Sequence, residues 1–278
     1  MRIAITGHKG QLGRALQRRL GDHELLLVDL PEADITDPAS IIPLIVDFRP
    51  DVVLHGAALT DVDGCARNPD LAFRVNAWGT QNVALACQRA GAVMLHVSTN
   101  EVFAGTATEP YREWDPLDPI NPYARSKAAA ERIVQALLTR YYIVRPSWLY
   151  ALGGNHFVAK IIRAADKHGR LRVVTDEVAC PTYAPDLADA IARLIATDHY
   201  GIYHLVNEGY CSRYDFAAHI LKLAGRETVP IERITLADYP RDSTVPPFAP
   251  LHNTCAAALG ITLRPWEEAL VAYFQEVP

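Results

Sequence analysis

Short apolar runs alternate with helical patterns along the first 150 residues, and this alternation limits the folds that the chain can adopt. The apolar runs are RIAITG, HELLLVDL, PDVVLHGAA, AVMLHVST and YYIVRPSWLY, and amphipathic stretches such as QLGRALQRRLG and AWGTQNVALACQRAG lie between them. Strands that alternate with helices form right-handed crossover units and parallel sheets. The sequence therefore predicts a doubly wound α/β domain over residues 1–150.

The pattern is less regular after Tyr150, where ALGGN indicates a linker and DYPRDSTVPPFAP is too rich in proline for regular structure. The helical pattern APDLADAIARLIA, with Pro185 in its first turn, predicts that the chain returns to the first domain at about residues 183–200. We expect residues 151–182 and 201–278 to form a smaller C-terminal α/β lobe that binds the substrate.

Composition and charge argue against several classes of protein. The formal net charge is -5 and no run of Lys or Arg is present, so we expect no nucleic-acid partner. The five cysteines are scattered without a C-x-x-C pair, and the histidines, including His55 and His96 on apolar strands, have no ligand spacing. We therefore expect no metal. Because no apolar run reaches membrane-spanning length, we expect a cytoplasmic protein without a membrane partner.

The stretch TGHKGQLG contains the first motif with chemical meaning. Gly7, Gly10 and Gly13 follow the first predicted strand and open the first predicted helix, and Asp29 ends the second strand about 20 residues later. Glycines let a phosphate approach the free N–H groups of a helix N-terminus, and an acid at the end of the second strand can accept ribose hydroxyl bonds. A plain strand-to-helix turn is the alternative, but the position of Asp29 favours a dinucleotide site.

The choice between the two nicotinamide dinucleotides stays open. The Asp29 carboxylate favours NADH, since it would repel the ribose phosphate of NADPH. Lys9 and Arg14 lie close to the loop and could offset that repulsion. We therefore expect either NADPH or NADH.

A second motif joins Thr99, which follows the fourth predicted strand, to Tyr123 and Lys127 in NPYARSK. Residues four apart lie on one face of a helix, so the phenol and the ammonium would be neighbours. An adjacent ammonium lowers the pKa of a phenol and prepares it for proton transfer near neutral pH. A Thr99 hydroxyl could hold a carbonyl oxygen while Tyr123 protonates it.

These stretches, TGHKGQLG, STNEVF and YARSK, resemble the extended short-chain dehydrogenase/reductase family. Within that family the order of GQLG, DITD, PDVVLHGAALTDVDGC, STNEVFAG, RPSWLY and DEVACPTYAPDLA is similar to that of the dTDP-4-dehydrorhamnose reductases. The resemblance covers about the first 190 residues. It implies a Rossmann fold and the reduction of the 4-keto group of a nucleotide-linked 6-deoxysugar, giving dTDP-L-rhamnose, by hydride transfer from NAD(P)H.

The resemblance also implies roles for single residues. Tyr123 would donate the proton, Lys127 would lower its pKa and bind the nicotinamide ribose, and Thr99 would orient the carbonyl. The residues implied at the cofactor are Gly7, Gly10, Gln11, Leu12 and Gly13 at the pyrophosphate, Asp34 and Ile35 at the adenine, and Ala57 and Ala58 along its path. The residues implied at the substrate are Thr60, Val62 and Trp148, with Asn100 and Glu101 beside them.

Structural alternatives exist for several of these residues. Trp148 could belong only to the core, because large aromatic side chains usually pack. Asp34 could belong to a turn or helix entry with Asp37 and Pro38. Thr60 and Val62 could belong to a plain loop.

The sequence departs from the family pattern where substrate is chosen. Asn100 and Glu101 follow the serine-threonine pair where an aspartate is usual after it, so an acidic group has moved by one position. Ala179 stands where glycine is common, and Pro246 stands where an arginine that helps to hold the nucleotide is expected. These departures leave the identity of the nucleotide sugar open.

Two alternative functions are compatible with the same motifs. The chain could be another nucleotide-sugar reductase or epimerase of this fold, or a non-catalytic regulatory subunit related to that of methionine adenosyltransferase. The intact set of Thr99, Tyr123 and Lys127 argues against a purely regulatory role. No heptad pattern is visible, so we expect a monomer or a homodimer.

Overall fold

Six strands form one parallel sheet at the centre of the computed structural model, which describes residues 1–276. The order across this main sheet is β10-β5-β4-β3-β1-β2, and each of its five pairings is parallel. The strands are, in chain order, β1 (Arg2–Thr6), β2 (Glu24–Val28), β3 (Val52–His55), β4 (Val93–Val97), β5 (Tyr141–Arg145), β6 (Leu149–Tyr150), β7 (Leu171–Val174), β8 (Val178–Ala179), β9 (Thr182–Tyr183), β10 (Gly201–His204), β11 (Cys211–Ser212) and β12 (Ile231–Ile234).

Helices cover both faces of this sheet, because its central strands are apolar on both sides. The helices are α1 (Gln11–Arg19), α2 (Pro38–Phe48), α3 (Val62–Arg67), α4 (Pro69–Phe73), α5 (Gly79–Ala90), α6 (Pro122–Leu137), α7 (Phe157–His168), α8 (Ala184–Leu194), α9 (Arg213–Leu223), α10 (Thr254–Ala258) and α11 (Trp266–Glu276). One face packs on α1 and α8, and the other on α2, α5 and α6. The predicted doubly wound fold is confirmed.

The smaller lobe has its own apolar core and three short pairs of strands. β12 pairs with β7 in parallel, β11 pairs with β8 in antiparallel fashion, and β6 pairs with β9. Helices α7, α9 and α11 pack together around Tyr150 and Phe216, which are fully buried. In residues 1–276, no helix is both long enough and apolar enough to cross a bilayer.

The structure differs from the sequence prediction at one lobe boundary and at the end of one strand. The predicted second lobe began again at residue 201, but Gly201–His204 is the edge strand β10 of the main sheet, since it pairs with β5. The run YYIVRPSWLY was predicted as one strand, but β5 ends before Pro146, which has no N–H to donate. The end of that run is β6, which pairs with β9 instead.

A buried ion pair fastens α6 to the main sheet. Arg145, the last residue of β5, donates from Nε and NH2 to the two carboxylate oxygens of Glu131 on α6, at 2.9 Å and 2.7 Å. The side chains are only 2% and 1% exposed. Arg145 also donates to the carbonyl of Glu113, and Ser98 donates to Glu131. The pair therefore fixes where α6, which carries Tyr123 and Lys127, lies against the strand ends.

Replacing Glu131 by Gln is expected to lower the free energy of unfolding by about 3–5 kcal/mol, because the Arg145 guanidinium would stay buried without its counter-charge. The exposed pair of Arg2 and Glu24 provides the matched control, and Glu24→Gln should cost about 1 kcal/mol or less. Urea unfolding followed by circular dichroism measures both variants. Equal losses in the two variants would contradict the anchoring role of the buried pair.

Candidate active site

The carboxyl ends of the parallel strands open into a cavity of about 1500 Å³ between the main sheet and the smaller lobe. This volume exceeds the roughly 300–1,000 Å³ of pockets for one small ligand, so two ligands can be held together. The cavity brings together every sequence-predicted site residue except Lys127: Gly7, Gly10, Gln11, Leu12, Gly13, Asp29, Asp34, Ile35, Ala57, Ala58, Thr60, Val62, Thr99, Asn100, Glu101, Tyr123 and Trp148.

The glycine loop between β1 and α1 forms one end of the cavity. Gly7 has a left-handed φ of 73°, and a Cβ atom there would lie 2.7 Å from the backbone nitrogen of Ala57. Gly10 is the N-cap of α1 and offers no side-chain cap, and the first turn contains no acidic residue. The N–H groups of this turn are therefore available to an anion, as a dinucleotide pyrophosphate requires.

Charged groups surround the Asp29 end of the cavity. Asp29 accepts hydrogen bonds from the backbone N–H groups of Lys9 and Leu30, at 3.0 Å and 2.9 Å. The Lys9 ammonium pairs with Glu32 at 2.8 Å, so that carboxylate balances much of its charge. Arg14 lies in the cavity wall and donates to the carbonyl of Gly153. A carboxylate and a cation thus lie on the same side of the dinucleotide site.

Asp34 contributes both to a turn and to the cavity. Its carboxylate accepts a hydrogen bond from the N–H of Thr36, while Asp37 caps α2 through the N–H of Ala39 and Pro38 occupies the first turn. The turn that the sequence suggested as an alternative is present. Asp34 nevertheless lies in the cavity wall, so the two interpretations are compatible.

Thr99 and Tyr123 meet where β4 ends and α6 begins. Asn121 caps α6 by accepting from the N–H of Ala124 at 2.8 Å, which places Tyr123 in the first turn at the cavity. Tyr123 is 8% exposed and Thr99 is 6% exposed. Burial raises the pKa of the Tyr123 phenol, the Glu101 carboxylate raises it further, and the Thr99 side chain acts in the opposite direction.

The sequence predicted that Lys127 would lower the pKa of Tyr123, whereas in this structure burial and the Glu101 carboxylate raise that pKa above its ordinary value. Lys127 donates instead to the carbonyl of Val97 at 2.6 Å, and its Nζ lies 3.4 Å from Nε2 of His96. Burial of the phenol therefore outweighs any influence of the ammonium on its pKa. Tyr123 is therefore protonated at neutral pH, as a proton donor must be before the reaction.

Lys127 itself is almost fully buried and held by the sheet. Burial lowers the pKa of its ammonium to about 8, and the Glu131 carboxylate acts in the opposite direction. Its position one turn after Tyr123 follows from the helical spacing of the two residues. The ammonium lies behind the cavity wall, and its charge is lost when the pH rises through about 8.

His96 is a contact of Lys127 that the sequence did not reveal. His55, its neighbour on β3, is satisfied by Thr6 and Thr80, as expected of a structural histidine. His96 differs, because its Nδ1 has no hydrogen-bond partner among residues 1–276. Burial lowers the pKa of both imidazoles, so both are neutral near pH 7.

Two arginines of the smaller lobe line the cavity, and the sequence did not predict either of them. Arg213 lies in the cavity wall with its guanidinium 3.5 Å from the centre of the Trp148 ring, and it pairs with Glu177. Arg241 lies in the same wall and pairs with Asp63 at 3.2 Å. Because Arg213 begins α9 and Arg241 lies in a loop 28 residues later, no local spacing could indicate that they share one cavity.

Trp148 has an unusual backbone conformation, with a φ of 39°. Its ring lies in the cavity wall and also stacks against Phe216 of the smaller lobe, 6.3 Å between centres. The residue thus belongs partly to the core, which the sequence offered as the alternative. A left-handed conformation in a large residue is strained and is typical of functional sites.

Of the three residues that depart from the family pattern, Asn100, Ala179 and Pro246, only Asn100 lines the cavity. Asn100 lines the cavity but donates to the carbonyl of Ala249, which ties the end of β4 to the late proline-rich segment. Ala179 is buried in β8. Pro246 packs close to Gly105, which has a φ of 80°. Arg241, five residues before Pro246, supplies a cation to the cavity that Pro246 cannot.

The whole chain, residues 1–278, matches the family model described as the RmlD substrate binding domain. The chain belongs to the RmlD family. SpsK, a spore coat polysaccharide biosynthesis protein of Bacillus subtilis (strain 168), is 38% identical over 277 residues, which cover 99% of this chain and 97% of that protein. The dTDP-4-dehydrorhamnose reductase of Aggregatibacter actinomycetemcomitans is 37% identical over 284 residues, which cover 97% of each chain.

Solved structures of the RmlD family share this fold. The crystal structure of dTDP-4-dehydrorhamnose reductase from Bacillus anthracis str. Ames in complex with NADP is 36% identical, covers 99% of each chain and superposes with a TM-score of 0.96. The resemblance to the dTDP-4-dehydrorhamnose reductases that the motifs predicted is confirmed.

Gly7→Ala is expected to weaken NADPH binding at least about tenfold, because the new methyl group would push the loop away from Ala57 in addition to the left-handed strain. Gly91→Ala is the matched control, since Gly91 also has a positive φ, 69°, and a Cβ atom there would meet nothing within 4 Å. The control should lose about 1 kcal/mol of stability and keep its affinity. Fluorescence titration with NADPH would contradict the loop assignment if both variants bound equally well.

Proposed function

We propose that this RmlD-family chain reduces the 4-keto group of dTDP-4-dehydrorhamnose and gives dTDP-L-rhamnose, with NADPH or NADH as the reductant. The observation that carries the proposal is the shared cavity of the uncapped glycine loop, Thr99 and Tyr123. The names of the relatives supply the substrate and the reaction.

The dinucleotide is held at the β1–α1 end of the cavity. The glycine loop and the first turn of α1 receive the pyrophosphate, with Gly7, Gly10, Gln11, Leu12 and Gly13 as the contacts. Asp29 and Arg14 face the adenosine ribose, Asp34 and Ile35 the adenine, and Ala57 and Ala58 the path between them. When bound, the nicotinamide supplies the hydride.

Tyr123 donates the proton that the ketone oxygen needs. The phenol is protonated at neutral pH, and it transfers its proton as negative charge develops on the ketone oxygen. Thr99 holds the same oxygen from the end of β4 and orients the keto carbon. Lys127, one turn behind Tyr123, places a positive charge near the forming phenolate and stabilises it.

The smaller lobe and the loop after β3 hold the nucleotide sugar. Arg213 and Arg241 are the cations of the smaller lobe that line the cavity, and they suit a diphosphate in the absence of an arginine at Pro246. Trp148, stacked on Arg213, forms an apolar wall for the sugar, and Thr60 and Val62 line the same cavity.

The setting of the enzyme is also part of the proposal. All five cysteines are free, and four of them are buried. We propose that the chain works in the cytoplasm as a monomer or a homodimer, with a nucleotide sugar as its partner. Failure of turnover with an intact NADPH affinity would favour the non-catalytic alternative.

Tyr123→Phe is expected to lower kcat at least about 100-fold, because the variant lacks the proton donor. Its dissociation constant for NADPH should change little, since the ring remains. Tyr141→Phe is the matched control, because Tyr141 begins β5 at the opposite end of the sheet from the cavity. Loss of NADPH absorbance with dTDP-4-dehydrorhamnose measures both. Parent-level turnover by the Tyr123 variant would contradict the assignment.

The rate is expected to fall as the pH rises through about 8. Lys127, whose pKa burial lowers to about 8, is charged below that pH and neutral above it. The charged form stabilises the phenolate, so kcat should drop about tenfold per pH unit on the alkaline side. The pH profile should also be measured in Glu101→Gln. Burial raises the pKa of Glu101 to about 7, and titration of this carboxyl group would add a second transition to the profile of the parent. A flat profile from pH 7 to 10 would contradict the role of Lys127.

A further inference from the structure

Glu101 is a carboxyl group inside the cavity that the reduction does not use. It lies in a short 3₁₀ turn directly after Thr99, and its backbone N–H donates to the Thr99 hydroxyl at 3.2 Å. Its Oε2 accepts from the amide of Asn121 at 2.8 Å, and Asn121 caps the helix that carries Tyr123. The carboxyl group is therefore fixed to the two elements that present the proposed ketone-binding hydroxyls.

One carboxyl oxygen of Glu101 is available to a ligand. Within residues 1–276, Oε1 makes no hydrogen bond, and the side chain lines the cavity. Its negative charge lies close enough to Tyr123 to raise the pKa of the phenol. A base and a proton donor thus face one cavity from adjacent positions.

The surroundings of Glu101 let it hold or release a proton near neutral pH. Burial raises its pKa to about 7, the Glu177 carboxylate acts in the same direction, and Asn121, Arg241 and Arg213 oppose it. A group whose pKa lies near the working pH is suited to act as a general acid and base.

Structural support alone does not require a carboxyl group at this position. The capping oxygen of Asn121 is directed to Ala124, and its amide also donates to the carbonyl of Thr244. A neutral acceptor would satisfy that amide equally well, without the cost of burying a charge. A partly buried, ionisable group in a cleft with a perturbed pKa is a candidate for chemistry.

The proposed substrate contains a site for such a base. A hydrogen on a carbon next to a ketone is acidic, because the electron pair of the broken C–H bond moves into the carbonyl and gives an enolate. The enolate oxygen needs the donors that orient the ketone for reduction, the hydroxyls of Thr99 and Tyr123. The cavity therefore contains a base and an enolate-stabilising pair on the same ketone.

We propose that Glu101 removes and returns a proton at a carbon adjacent to the keto group, so that the chain catalyses enolisation of a 4-keto nucleotide sugar in addition to its reduction. This inference rests on the proposed function. The C–H bond breaks, the proton moves to the carboxylate, and the electron pair forms the enolate; the same carboxylic acid then returns a proton to that carbon. No electron leaves the substrate and no other reactant is needed. Return from the same side exchanges the hydrogen with solvent and keeps the configuration.

The test is hydrogen exchange in deuterium oxide. Freshly generated dTDP-4-dehydrorhamnose is incubated with the full chain and NADP⁺, so that no hydride is available, and proton NMR follows the C3 and C5 hydrogens. We expect exchange at one of these carbons at least about 100-fold faster than without protein, and a loss of about 100-fold in Glu101→Gln. Reduction with NADPH should fall much less in that variant. Glu109→Gln, at an exposed position outside the cavity wall, is the control and should exchange like the parent.

The outcomes separate this inference from the proposed function. The role of Glu101 is supported if Glu101→Gln loses the hydrogen exchange and Glu109→Gln exchanges at the parent rate. If the parent oxidises NADPH with the sugar but exchanges no faster than the protein-free solution, the enolisation is wrong and the reductase stands. Exchange that persists in Glu101→Gln also overturns it. If the parent neither oxidises NADPH nor exchanges hydrogen, the proposed substrate is wrong and the enolisation of this substrate falls with it.

Discussion

The buried pair between Arg145 and Glu131 is the interaction on which the arrangement of the site depends. It joins the end of β5 to the middle of α6, and Ser98 at the end of β4 donates to the same carboxylate. Two strand ends and one helix are thereby fixed to each other in the region that presents Thr99, Tyr123 and Lys127. A charge pair with almost no exposure to water is costly to form, so its geometry must be satisfied whenever the fold is complete.

Burial is the main cause of the altered pKa values of the three ionisable groups at this site. The same desolvation raises the pKa of Tyr123, lowers that of Lys127 and raises that of Glu101. Each group thereby lies closer to its neutral form at physiological pH than it would in water. A protonated phenol beside a lysine and a carboxyl group that titrate near neutrality can transfer protons in more than one step.

The sequence predicted the parts of the molecule that depend on local spacing. The glycine loop, Asp29 directly after β2 and the helical pair of Tyr123 and Lys127 all lie within short stretches, and the family motifs contain the glycine loop and the helical pair. It did not predict β10 in the main sheet, the break after Arg145, or Arg213 and Arg241 in the cavity. Those features depend on contacts between distant segments, and the direction of the Lys127 side chain depends on a backbone carbonyl that no pattern reveals.

The most direct test of the account is the fate of a deuteride. The chain would be mixed with NADPH carrying deuterium at the transferable position of the nicotinamide, together with dTDP-4-dehydrorhamnose, and the sugar product examined by NMR. The account predicts dTDP-rhamnose with deuterium at C4 and an equal amount of oxidised cofactor. NADPH that stays unoxidised while it binds normally, or a sugar without deuterium at C4, would contradict the proposal that this cavity reduces the 4-keto group.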